Sequence, residues 1–131
     1  MPVELKILAY SAVLLVITIL AATQLKTAQY GAKWNMGPRD EAVPPPNPMA
    51  GRLARVQTNF LETYPIAIIA LLGVVIANRT SASTALGGWI WLGARIVYLP
   101  LYAAGIPVIR TIAWTISIVG LAMVIWPLLA G

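Results

Sequence analysis

The stretch Arg52-Leu-Ala-Arg55-Val-Gln57-Thr-Asn59-Phe-Leu-Glu62-Thr-Tyr-Pro65-Ile-Ala-Ile-Ile-Ala-Leu-Leu-Gly-Val-Val-Ile-Ala77 joins two kinds of sequence that rarely meet in one helix. Its second half is an unbroken apolar run, and from Leu53 to Ala77 it is long enough to cross ~30 Å of hydrocarbon. Its first half carries Arg55 and Glu62 inside that span. An ionisable group there costs at least ~2.5 kcal/mol, so it is expected to face the interior of a helical assembly or a water-filled cavity. At ~100° per residue Arg52, Arg55, Asn59 and Glu62 fall within about 80° of arc and form a polar stripe roughly 15 Å long. Pro65 cannot donate a backbone hydrogen bond and is expected to kink the helix near the Leu61 carbonyl.

The rest of the chain supplies three more such spans, at about 5–25, 84–104 and 106–129. The composition agrees: of 131 residues, 60% are hydrophobic and 10% are charged, against ~25% charged in a soluble domain. The expected fold is therefore an all-α integral membrane protein, a four-transmembrane-helix bundle in a single domain over 1–131. A cleaved signal peptide at the N-terminus is the lesser reading, because the apolar run is long for one and Glu4 offsets Lys6. With no Cys and no His, disulfides, zinc sites and thiol or imidazole nucleophiles are excluded, and no metal is expected. A net charge of +5 diluted in apolar sequence does not make the clustered basic face that nucleic acid needs.

Residues 26–52 form the long connection, ending in an extended proline run from Val43 to Pro48. Lys26, Lys33, Arg39, Arg52 and Arg110 gather at one membrane face. The positive-inside rule puts that face and the long loop in the cytoplasm, with both termini outside. In the third span Arg95, Tyr98 and Tyr102 share one face. Arg95 and Glu62 lie at similar depth and are expected to pair, since each would otherwise be an isolated buried charge. Such a pair fixes helix register by itself. It does not call for Arg52, Arg55, Gln57, Arg110 and two tyrosines at one level. Excess positive charge at a cytoplasmic-side cavity suits an anion with several carboxylates, held by planar guanidinium groups.

Arg52-x-x-Arg55-x-Gln57-x-Asn59-x-x-Glu62-x-x-Pro65 resembles the second-helix signature of the MAPEG family, membrane-associated proteins in eicosanoid and glutathione metabolism. Gly93-Ala94-Arg95-x-x-Tyr98-x-x-x-Tyr102 is similar to its third-helix signature, and Gly37-Pro38-Arg39-Asp40-Glu41 followed by prolines resembles the bacterial branch. The resemblance implies a homotrimer in a bacterial inner membrane, with glutathione bound between subunits and its thiolate added to lipophilic electrophiles or used to reduce lipid hydroperoxides. It implies that Arg55, Asn59, Glu62, Tyr98 and Tyr102 hold glutathione from one subunit, with Arg52 and Arg95 in the same set. Gln57 then reaches it from the neighbour, and Arg110 stabilises the thiolate. Partners are glutathione, a lipophilic small molecule and membrane lipids.

The chain departs from the pattern in three places. Thr63 stands where a tyrosine follows the signature glutamate, and Tyr64, one residue on, points elsewhere. The spacing from Tyr102 to Arg110 is one residue longer, with Pro107 between. An arginine at the end of the first helix is missing, leaving Gln24 or Lys26 to substitute. Family members that bind lipid or scaffold a partner without catalysis are the alternative function. A small multidrug-type transporter is the third reading. It is disfavoured because such transporters use a buried glutamate in the first helix, where no buried charge is expected here.

Overall fold

The computed structural model describes residues 1–130. The chain is all-helical, with no strand among the described residues: α1 Val3–Tyr30, α2 Ala32–Met36, α3 Pro48–Ile76, α4 Ala82–Ala103 and α5 Pro107–Ala130. α1, α3 and α5 are long and apolar enough to cross a membrane. α4 has 22 residues, sufficient length at ~1.5 Å per residue, but Gly87, Gly88, Arg95, Tyr98, Pro100 and Tyr102 dilute its apolar content.

The four long helices share one core. α1 contributes Ile7 and Leu14, α3 Phe60, Ala67, Leu71 and Val74, α4 Trp91 and Leu92, and α5 Leu121 and Val124. In lipid no hydrophobic force drives helices together, so close packing and interhelical hydrogen bonds hold such a core. Trp91 is fully buried. It lies edge-on to Phe60 at 6.4 Å and stacks on Tyr64 at the same separation. The Tyr64 hydroxyl shares a 2.9 Å hydrogen bond with Ser11. Tyr64 thus ties α3 to α1 and α4.

The buried face of α3 runs through Leu53, Val56, Phe60, Ala67, Leu71 and Val74, one arc at ~100° per residue. Arg55 and Glu62 lie on the far side of the helix and are exposed. α3 continues unbroken through Pro65, which leaves the Leu61 carbonyl without its helical donor but does not end the helix.

Much of the expected long loop is helical. α1 runs on to Tyr30, α2 adds another turn, and α3 already begins at Pro48. The Asn47 side chain caps α3, accepting from the Ala50 N–H at 2.9 Å, and Pro48 occupies a first-turn position where no donor is required. The proline run is strapped to the end of α1. Gln29 donates to the Pro45 carbonyl at 3.0 Å and accepts from Asn47 N–H at 2.8 Å, and the Tyr30 hydroxyl donates to the Pro44 carbonyl at 2.6 Å.

The first helix does hold a buried charge. Glu4 is only 2% exposed and accepts a 2.7 Å hydrogen bond from the Thr84 hydroxyl. Thr84 belongs to the capping box that Ser81 forms at the start of α4. The carboxylate therefore sits at the positive end of the α4 dipole and staples α1 to α4. Its position in the first turn of α1, tied to a cap, is that of a structural anchor and not of a mid-membrane carrier site. Glu4→Ala is expected to destabilise the protein by about 1–3 kcal/mol. Thermal unfolding in detergent measures this, and Glu4→Gln, which keeps an acceptor, should lose less.

Candidate functional site

α3, α4 and the start of α5 converge on one polar region. Arg95 is 2% exposed, with its guanidinium 4.8 Å from the ring centres of both Phe60 and Tyr98. One nitrogen donates to the Asn59 side-chain oxygen at 2.7 Å. Its Nε and the second terminal nitrogen are buried without partners. The expected Arg95–Glu62 pair is not formed. α4 packs against the direction between Asn59 and Phe60, and Glu62 lies about 110° around the helix from there. Cation–π contacts and one neutral hydrogen bond replace the ion pair.

One turn further along α4, the Tyr98 and Tyr102 rings meet edge-to-face at 5.4 Å. Arg55 donates through Nε to the Tyr102 hydroxyl at 2.9 Å. Arg110 reaches back from α5 and lies over the Tyr102 ring at 4.4 Å. This return depends on the turn between α4 and α5, where Gly105 has φ 75°. That left-handed conformation suits glycine, which has no Cβ to clash. Arg52 donates to the Ala103 carbonyl at 2.9 Å, closing the end of α4. The longer spacing and Pro107 thus still leave Arg110 against Tyr102.

Asn59, Tyr98, Tyr102 and Arg110 line an open cavity of about 240 Å³, together with Thr111 and Trp114. Arg55 does not line it but donates to Tyr102, which does. Arg95 lies behind Tyr98, and Arg52 contacts the Ala103 carbonyl instead. Gln57 opens onto a different cavity, beside Thr23 and Lys26. It lies about 200° around α3 from Asn59. Glu62 is exposed and does not line the Arg110 cavity. Thr63 turns its hydroxyl back to the carbonyls of Asn59 and Phe60, at 3.2 and 3.3 Å. Thr111 and Trp114 were not anticipated. The legible signal was their placement one and four residues after Arg110, on its face of α5 in the case of Trp114.

The cavity is rich in donors and has no carboxylate. Its shape and charge suit an acceptor-rich anion beside Arg110. Tyr102→Phe removes the partner of Arg55 but keeps the ring under Arg110. It should weaken binding of such a ligand about three- to tenfold, as measured by titration calorimetry with glutathione.

The sequence model of the MAPEG family matches residues 7–130, nearly the whole chain, and the protein belongs to that family. No curated protein and no solved structure matches the chain significantly. MAPEG is a membrane family whose members include glutathione transferases and peroxidases. No cluster of metal-ligating side chains occurs among the described residues.

Proposed function

We propose that this protein is a membrane-bound, glutathione-dependent transferase or peroxidase that acts on lipophilic electrophiles or lipid hydroperoxides. The observation that carries the reading is Arg110 over the Tyr102 ring at the mouth of the donor-lined cavity, in a chain of this family. Glutathione carries two carboxylates and an ammonium. Arg55 and a second arginine suit the carboxylates, and exposed Glu62 suits the ammonium. A free thiol has pKa ≈ 8.5, and a neighbouring guanidinium lowers it. Arg110 supplies that charge, and the membrane supplies apolar electrophiles by partition.

The working form in this reading is a homotrimer of four-helix transmembrane bundles in a bacterial inner membrane, with the long loop cytoplasmic. Two features support a neighbouring subunit. Arg55 and Glu62 are exposed on a helix apolar enough to span the membrane, and charges at such positions need cover. Gln57 faces away from Asn59, as a residue serving the adjacent subunit's ligand would.

Adding glutathione to purified protein should produce the far-ultraviolet absorbance of a thiolate at neutral pH. Folded protein without that band would remove the catalytic claim. A non-catalytic lipid-binding scaffold or accessory subunit is the second reading. Thr63 favours it, because its hydroxyl is spent on its own helix where a tyrosine side chain would reach outward. That reading requires stable co-purification with another membrane protein and indifference to glutathione.

A further inference from the structure

Arg95 is a cation only 2% exposed, set against two aromatic rings and holding a single hydrogen-bond acceptor. Its Nε and its second terminal nitrogen have none. A buried charge that meets no counter-charge destabilises the fold that contains it. Its presence therefore calls for a role other than stability.

The identity of that one acceptor points to the role. A guanidinium has donors only, whereas an amide has an oxygen at one end and two N–H donors at the other. Asn59 can therefore meet Arg95 only with Oδ1, and does so at 2.7 Å. The reversed amide would set N–H against N–H. No other hydrogen bond holds the Asn59 side chain among the described residues, since Thr63 donates to the Asn59 backbone carbonyl instead. Nδ2 is left without a partner in the chain and is not enclosed by it. Asn59 lines the Arg110 cavity and Arg95 does not. The end of the amide that a ligand meets is thus a donor, and Arg95 determines this from behind the cavity wall. The Phe60 and Tyr98 rings, each 4.8 Å from the guanidinium, attract its charge without taking the N–H that Asn59 accepts. An acid in their place would compete with Asn59 for it.

We propose that Arg95 is a positioning residue that takes the oxygen of Asn59 and so turns the amide N–H groups toward the ligand of the Arg110 cavity. This gives the wall a preference for acceptors such as a carboxylate. The inference rests on the reading that this cavity holds an acceptor-rich anion. It adds that Arg95 acts on that ligand through Asn59, without touching it.

The test is a double-mutant cycle on full-length protein in detergent, with glutathione affinity read by calorimetry and the fold by thermal unfolding. Arg95→Met removes the charge and keeps a long side chain. It should unfold at or above the wild-type midpoint, yet bind glutathione about threefold or more weakly, because the amide is free to turn. Arg95→Lys still offers only donors and should bind within about twofold of wild type. In an Asn59→Leu background, with no amide to orient, Arg95→Met should change affinity no further. An equal loss in both backgrounds would mean that Arg95 acts on the ligand directly and would overturn the proposal. So would wild-type affinity in Arg95→Met, or Arg95→Lys as weak as Arg95→Met. A lowered midpoint in Arg95→Met would overturn it in favour of a packing role. A second arm needs no ligand. Asn59→Asp gives Arg95 a counter-charge and should raise the unfolding midpoint of the otherwise wild-type protein, but lower that of Arg95→Met. Equal shifts would remove the contact on which the proposal stands. Wild-type protein that does not bind glutathione rejects the glutathione reading of the cavity, and the second arm then decides the Arg95–Asn59 contact by itself.

Discussion

Arg110→Ala should return bound glutathione to the ionisation of a free thiol. In the proposed reading the guanidinium favours the thiolate, so its presence lowers the thiol pKa and its removal raises it. A lowering of about two units corresponds to ~2.7 kcal/mol of preferential thiolate stabilisation. At pH 7 the thiolate fraction should then fall from about three quarters to about three per cent. The half-point of the far-ultraviolet titration should move up by about two pH units. Arg110→Lys keeps the charge but loses the planar stack on Tyr102 and should lie between the two. A titration curve that coincides with wild type in folded Arg110→Ala would reassign Arg110 to a packing role.

The second large effect is expected at the crossing of α4 and α5. A Cβ added at Gly120 would lie 2.6 Å from the Gly87 carbonyl oxygen and 2.6 Å from the Trp91 backbone nitrogen. Both obstacles are main chain and cannot rotate aside. Gly120→Ala therefore forces the helices apart and strips contacts from Trp91 and Leu121, at a cost of about 1–3 kcal/mol or more. Gly87→Ala meets the Gly120 carbonyl at 2.7 Å and should behave alike. Gly93 is the control: nothing lies within 4 Å of a Cβ there, and alanine also suits a helix better than glycine. Thermal unfolding should show a clear drop for Gly120→Ala and none for Gly93→Ala. Because α5 carries Arg110, Gly120→Ala should also disturb the site.

How far the site could be read in advance differs by residue. Arg95 was legible, because a charge amid Gly93, Ala94, Ile96 and Val97 must turn inward. Tyr98 and Tyr102 followed from helical spacing on the same face. The Arg95–Glu62 pair does not form, because an arc of about 80° is not a single face: Arg95 meets Asn59 near one edge of it and Glu62 lies at the other. The apolar positions Leu53, Val56, Phe60, Ala67 and Leu71 already point about 140° away from Glu62, which places it on the outer surface. Glu4 was missed for another reason. Its partner, Thr84, is 80 residues distant, and nothing near Glu4 in sequence signals a capping box at the start of another helix.

What the sequence by itself determined is the medium and the chemistry available to the protein. Long apolar runs force helices, because a chain in lipid must satisfy its backbone hydrogen bonds internally. The scarcity of charge, the absence of Cys and His and the spacing of Arg52 to Pro65 restrict the chemistry and carry the family. Only the tertiary structure decided which charges meet. Arg110 comes to Tyr102 because Gly105 reverses the chain, Arg95 takes Asn59 because α4 packs on that side of α3, and Arg39 joins Lys26 and Gln57 because α2 folds back against α1. Helical periodicity gives the direction of a side chain about its own axis, whereas partner choice depends on the rotation and distance between helices, and those are set by contacts such as Gly87 on Gly120 and Tyr64 on Trp91.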